Sequence, residues 1–239
     1  MSQLIKTEGR LGLYRSDLGD FYLPLNAHYD GISNFMKEGR IFEPEVVEAA
    51  RQHIRPGSVV LDVGANFGQM SMVFSDCVGD GGKVFSFEAQ RAVYEVLEKN
   101  IAANNRLNVV PLYNAVYFES NRTFYFPEPD FIEWGSYGSY NLPLDSTSGQ
   151  KVKSLKIDDL NIEEPISFMK VDVQGCDLFA MQGAAETIKR HGMPIIFEFE
   201  QRFQKDYATS FQDYVEFVDS IGYKFVETIL DINYLIESK

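Results

Sequence analysis

The stretch that decides the fold is VVLDVGANFGQMS, residues 59–71. Its first five residues are the short, β-branched run of a strand buried on both faces, and the strand closes around Asp62. The turn Gly64-Ala65-Asn66-Phe67-Gly68 then feeds a helix expected from about Phe67 to Cys77. Glycine at both ends of such a turn lets backbone come close to a ligand.

Working outward, strand and helix alternate. KVFSFEA (83–89) reads as a second strand, followed by a helix from about Arg91 to Asn104 and a third strand over Asn108 to Tyr113. ISFMKVDV (166–173) and MPIIFEFE (193–200) supply the fourth and fifth, with a helix from Cys176 to Arg190 between them. Alternation of this kind specifies an α/β fold on a parallel sheet. After a helix over Phe211 to Ser220, YKFVETIL and INYLIES read as an antiparallel hairpin closing that sheet. Upstream, Glu43-Pro44-Glu45 opens a helix that Pro56-Gly57 stops. Residues 10 to 30 read as a hairpin that covers the main body. Residues 115–155 interrupt the rhythm with an alternating hairpin and an aromatic loop. The expected organisation is one domain over 1–239: an N-terminal cover (1–41), a cofactor-binding half (42–114), an inserted hairpin or lid (115–155) and a substrate-side half (156–239).

The apolar content of 45%, with 19 Phe and 13 Tyr, is enough to bury a core. With 22 basic and 35 acidic side chains the formal charge is −13, which repels phosphate backbones and argues against nucleic acid as a partner. Lys151, Lys153 and Lys156 read as a solvated strand face. Two cysteines, Cys77 and Cys176, make no disulfide framework, so a reducing cytoplasm is expected. No apolar run approaches the ~20 residues of a membrane helix, and the N-terminus lacks a signal-type apolar region. A homo-oligomer is left open.

About 20 residues beyond Gly68 the second strand ends in Glu88, where a carboxylate can accept hydrogen bonds from both ribose hydroxyls of an adenosine. Asn114, at the end of the third strand, is placed to read the adenine edge or to serve as a turn residue. A dinucleotide fingerprint is G-x-G-x-x-G; this loop is D-x-G-x-x-x-G. An Asp beside the glycines suits the cationic sulfonium of S-adenosylmethionine and disfavours a pyrophosphate. The cofactor expected is therefore S-adenosylmethionine, held by Asp62, Gly64, Ala65, Asn66, Phe67, Gly68, Glu88 and Asn114.

VVLDVGANFGQMS, FSFEAQ, NAV at 114–116, FMKVDVQGCDLFAMQGA and FEPE at 42–45 together resemble the FkbM family of methyltransferases, from about Phe42 to Glu198. The resemblance implies a class I, Rossmann-like sheet of seven strands with the last antiparallel, S-adenosylmethionine as donor, and O-methylation of natural products, sugars or glycan-like acceptors. It also brings Glu43, within FEPE, among the cofactor residues. One departure stands out: members commonly carry Glu in a D-V-E-G stretch where this chain has Gln174. A neutral amide there keeps hydrogen bonding and loses charge.

Methyl transfer needs an aligned acceptor and a place for its proton. Ligands of open α/β sheets bind at strand carboxyl ends, which singles out Asp172, Glu198 and Glu200. Asp172 is the first choice to orient or deprotonate a hydroxyl, with Lys170 steadying developing charge; alternatively Asp172 caps the following helix and Lys170 pairs with it. Asp172 and Glu198 could instead chelate Mg²⁺, a reading not favoured. His28, His53 and His191 offer little, and a histidine base is an open but unfavoured reading. The aromatics Phe124, Tyr125, Phe126, Phe131, Trp134, Tyr137 and Tyr140 form an acceptor lid or pack on the sheet. The competing functions are a non-catalytic S-adenosylmethionine-binding module and a nicotinamide-dependent oxidoreductase.

Overall fold

The computed structural model describes residues 2–126 and 140–239. In chain order the elements are β1 (Gln3–Glu8), β2 (Leu11–Ser16), β3 (Gly19–Pro24), α1 (Gly31–Lys37), α2 (Pro44–His53), β4 (Val59–Val63), α3 (Gln69–Val78), β5 (Lys83–Glu88), α4 (Arg91–Ala103), β6 (Val109–Tyr113), β7 (Ala115–Val116), β8 (Thr123–Phe126) and β9 (Gln150–Leu155). A single 3-10 turn over Ile157–Leu160 leads to β10 (Ile166–Val171), α5 (Asp177–Gln182), α6 (Ala185–His191), β11 (Ile195–Glu198), α7 (Gln204–Tyr207), α8 (Phe211–Ser220), β12 (Tyr223–Ile229) and β13 (Asn233–Ser238).

The central sheet has the order β12-β13-β11-β10-β4-β5-β6. Neighbours from β11 to β6 pair in parallel, while β13 is antiparallel to both β11 and β12. This is the seven-stranded arrangement with an antiparallel last strand that the sequence implied. Every residue of β4 and of β10 is buried, because helices cover both faces of the sheet. Alternate residues divide between the two layers. Val60, Phe168 and Ile196 face Val46, Ala50 and Phe74 of α2 and α3. Leu61, Met169 and Phe197 face Leu178, Ile188 and Tyr214 of α5, α6 and α8. The chain runs outward from β4 in one direction and resumes at β10 in the other, so the topological switch point falls between these two strands. Their carboxyl ends therefore open the crevice where a ligand binds.

Three departures from the sequence reading have local causes. The helix expected from Cys176 to Arg190 is two helices, broken at Gly183, where a Cβ would collide with the Tyr117 carbonyl of the inserted segment. The cover contains three antiparallel strands rather than a hairpin. Its first strand, β1, is exposed along its whole length and so carries no burial pattern to read. Asn100 of α4 and Asn104, at the cap that ends it, dock β3: Asn104 accepts from Asp20 N at 2.9 Å and donates to Asp20 O at 2.7 Å, and Asn100 accepts from Tyr22 N at 2.6 Å. The insertion forms a small sheet of order β7-β9-β8. Phe124 and Phe126 are buried in its own cluster with Tyr117, Leu142 and Val152, so Phe124 packs as a core residue. Phe131, Trp134 and Tyr137, the other half of the expected lid, lie outside the described residues.

Candidate active site

The carboxyl ends of β4, β5, β10 and β11 surround a cavity of about 410 Å³. Its floor is the turn after β4. Gly64 and Ala65 both donate to Phe87 O, at 3.0 and 2.9 Å, which ties the turn to β5. Gly64 has φ +86°, and a Cβ on it would strike the Asp172 carbonyl; only glycine permits the ends of β4 and β10 to approach this closely. Asn66 adopts φ +51°, its backbone N donates to Glu88 at 3.0 Å, and its side chain accepts from Phe67 N at 2.7 Å. The Phe67 ring is fully buried, packed with Phe21, Leu23, Met36 and Met72 beneath the cover.

Asp62 is fully buried. One oxygen accepts from Ser71 Oγ at 2.5 Å, and Ser71 accepts in turn from Ser86 Oγ at 2.8 Å. Its other oxygen, Oδ1, has no partner among the described residues. Burial raises the Asp62 carboxyl above its ordinary value, opposed by Lys170 and by the Ser71 hydrogen bond. A buried acceptor without a donor costs free energy until a ligand, or water held by one, supplies it. Glu88 accepts from Asn66 N and, at 2.8 Å, from Gln90 N. Burial outweighs these backbone donors and pushes its pKa up to about 7. Each oxygen keeps a further lone pair for a ribose hydroxyl. These features fit S-adenosylmethionine: a glycine cradle, an unsatisfied carboxylate oxygen near the loop, and a strand-end carboxylate one strand over. Asn114 also lines the cavity, and its amide donates to Lys153 O of β9 at 3.1 Å. Gln90 was not singled out from the sequence. It is buried, lines the same cavity, and neither amide atom has a partner among the described residues.

On the β10 side, Lys170 is buried and its Nζ donates to Asp172 Oδ2 at 3.0 Å. Burial alone would lower the lysine pKa, but Asp172, Asp62 and Glu43 together hold it above the ordinary value, so it is a permanent cation. The other Asp172 oxygen accepts from Gln174 Nε2 at 2.9 Å, and the same Nε2 donates to Glu198 Oε2 at 3.2 Å. Burial first, then Asp172, Asp177, Glu200 and Glu43, raises the Glu198 pKa to about 10. Glu43, which sits at φ +50° ahead of α2, is likewise raised by burial and by Asp172. Glu200 also lines the cavity, paired with Arg202 at 2.7 Å.

Asp172 does not take the helix-capping role considered for it, and no side chain caps α5. Asp177, at the start of α5, accepts from Val173 N at 3.2 Å and Gly175 N at 3.0 Å, and burial lifts its pKa to about 8. Sequence reading missed it because an Asp that bonds backwards over four residues has the same local signature as any helix-start acid. Among the described residues no group of three or more His, Cys, Asp or Glu is arranged to hold a metal. Between Asp172 and Glu198, the pair considered for Mg²⁺, stands the N–H donor of Gln174, an arrangement that does not fit a shared cation. None of the three histidines is among the residues that line the cavity.

A switch-point crevice of this kind, with a D-x-G turn on one strand and an acid ending the next, defines a class I S-adenosylmethionine-dependent methyltransferase. The family model of the methyltransferase FkbM domain matches residues 62–225, and the chain belongs to that family. Solved structures share the fold at low identity. A candidate rRNA methylase from Clostridium thermocellum aligns with TM-score 0.53 and 11% identity over 82% of this chain and 95% of its own. SMU.1697c, a candidate methyltransferase from Streptococcus mutans in complex with SAH, gives 0.52 and 12% over 83% and 98%. The methyltransferase FkbM from Methylobacillus flagellatus KT gives 0.50 and 16% over 86% of this chain, which spans about half (52%) of that protein. No curated protein matches the chain in sequence.

Among the described residues no helix is long and apolar enough to cross a membrane.

Proposed function

We propose that this methyltransferase acts on a hydroxyl oxygen of a small molecule or glycan, with Asp172 as the residue that orients the hydroxyl and receives its proton. The observation that carries this reading is the placement of Asp172: it lines the cavity it shares with the cofactor turn, and its carboxylate is held by Lys170 and Gln174. When bound, S-adenosylmethionine supplies a methyl on a positively charged sulfur. The chain then has three tasks. The Gly64 turn and Glu88 hold the donor; Asp172 fixes the hydroxyl and takes its proton as the O–C bond forms and the S–C bond breaks; the surrounding walls exclude water. Lys170 serves this by donating to one Asp172 oxygen, which holds the carboxyl in place. A net charge of −13 supports a neutral acceptor over nucleic acid, and the two-cysteine content supports a cytoplasmic setting.

The test has two stages. Calorimetry should show binding of S-adenosylmethionine and S-adenosylhomocysteine but not NAD. Release of S-adenosylhomocysteine is then followed with methyl glycosides and catechols as acceptors and matched amines as controls. Turnover on hydroxyls that Asp172→Asn lowers by roughly 10²–10⁴-fold supports the reading. Turnover on amines alone would overturn the oxygen assignment, and binding without turnover on any acceptor would favour a cofactor-binding module.

A further inference from the structure

We propose that Gln174 is a positioning residue for methyl transfer: its single side-chain amide ties Asp172 to Glu198 and so fixes the direction in which the Asp172 carboxylate faces the acceptor. The inference rests on the role given to Asp172 above. Three observations lead to it. First, Gln174 sits at φ +53°, a left-handed conformation that a side chain adopts at some cost. The following Gly175, at φ +89°, lies against Phe203 and Tyr207, where a Cβ would not fit. The turn is thus locked from outside, and the Gln174 side chain is directed by it. Second, the amide nitrogen donates to two acidic side chains, at 2.9 Å to Asp172 and 3.2 Å to Glu198. The amide turns its nitrogen inward, where one atom reaches an oxygen of each acid. Third, the second Asp172 oxygen is held by Lys170 on its own strand, at 3.0 Å.

The carboxylate therefore has a donor on each oxygen, one from β10 and one from the turn that follows it, and cannot rotate without breaking one of them. Its remaining lone pairs point where the two donors do not. Glu198 anchors the far end of the amide from β11, so the bridge also joins two strand ends across the mouth of the crevice. A group that reaches the reacting atoms only through Asp172 should act on alignment: losing it leaves donor binding intact and lowers the rate of the bound complex.

Two measurements decide this. In the full-length protein saturated with S-adenosylhomocysteine, the Gln174 side-chain NH₂, assigned by its loss in Gln174→Met, should exchange with solvent roughly 10-fold or more slowly than exposed glutamine amides. Asp172→Asn and Glu198→Gln should each shift one of its two protons. An amide that exchanges freely and ignores both substitutions would overturn the proposal. Turnover supplies the second reading, with the hydroxyl acceptor that responds in the panel above. Gln174→Met, similar in volume and lacking the donors, should lower kcat on the order of 10–100-fold, with acceptor KM and S-adenosylhomocysteine Kd within about 3-fold of wild type. Wild-type kcat in Gln174→Met would overturn the positioning role while leaving Asp172 in place; a null effect of Asp172→Asn would instead remove the reading on which the proposal rests.

Discussion

Gly64 and Asp172 are in backbone contact: the α-carbon of the first lies so close to the carbonyl of the second that a methyl group cannot be placed between them. One residue belongs to the glycine turn after β4 and the other to the end of β10, the proposed acceptor side. The two halves of the site are therefore joined through main chain.

Gly64→Ala should then damage both at once. The new Cβ must displace the end of β10, and a φ of +86° adds its own strain for an L residue. Overpacking of this kind costs about 1–3 kcal/mol or more. The expected outcome is a lowered Tm together with loss of S-adenosylhomocysteine binding by calorimetry. A variant that folds and binds as wild type does would show that the two strand ends are free to part.

Glu88, as a proposed donor-binding residue, should make donor binding depend on pH. Its carboxyl titrates at about 7 in the free protein, raised by burial against the pull of backbone N–H donors. Ribose hydroxyls donate to the ionised form, so binding should hold it ionised and release a proton. Affinity for S-adenosylhomocysteine should rise with pH, by up to roughly 10-fold between about pH 6 and pH 8. Glu88→Gln should bind more weakly and show a flat profile over that range. If wild type is flat as well, the carboxylate does not change state on binding.

Much of this site was legible because its parts are local in sequence. Asp62, the 64–68 turn and Glu88 sit at strand ends that the apolar runs VVLDV and KVFSFE announce, and the spacing between them follows from one βαβ unit. What could not be read depends on pairing at a distance. Gln174 is informative only once β11 brings Glu198 to it, and Asp177 only once the turn folds back over it. The Ser86–Ser71–Asp62 chain joins three elements whose serines look like ordinary small residues. The break in the helix after β10 is dictated by Tyr117, more than 60 residues upstream of Gly183.

Glu198 links the site to stability. With a folded pKa of about 10 against an ordinary carboxylate value, it keeps its proton in the folded chain and loses it on unfolding at neutral pH. Asp177, at about 8, and Glu88 act in the same sense. Between the ordinary carboxylate range and these raised values the folded state binds more protons than the unfolded one. Stability is therefore greatest at the acid end of that window and falls as pH rises, by at most about 1.4 kcal/mol per pH unit for each group. Thermal melts from about pH 5.5 to pH 9 should show Tm declining, and Glu198→Gln should make the decline shallower. A Tm that rises across this window would contradict the buried, protonated state of these carboxyls.

Gln90 should reveal itself through opposite effects on the free and bound protein. Its amide is buried with neither atom partnered among the described residues, and it follows Glu88 by two positions along the cavity wall. An unpartnered buried amide costs about 1–3 kcal/mol, which an apolar residue of similar shape would not incur. Gln90→Leu should therefore raise the Tm of the ligand-free chain. An adenine edge presents a donor beside an acceptor and matches a carboxamide in two hydrogen bonds, so the same substitution should weaken S-adenosylhomocysteine binding by roughly 10-fold and shrink the Tm gain on adding it. A fall in the ligand-free Tm would mean that the amide is already satisfied within the chain, and unchanged affinity would mean that the adenine is read elsewhere.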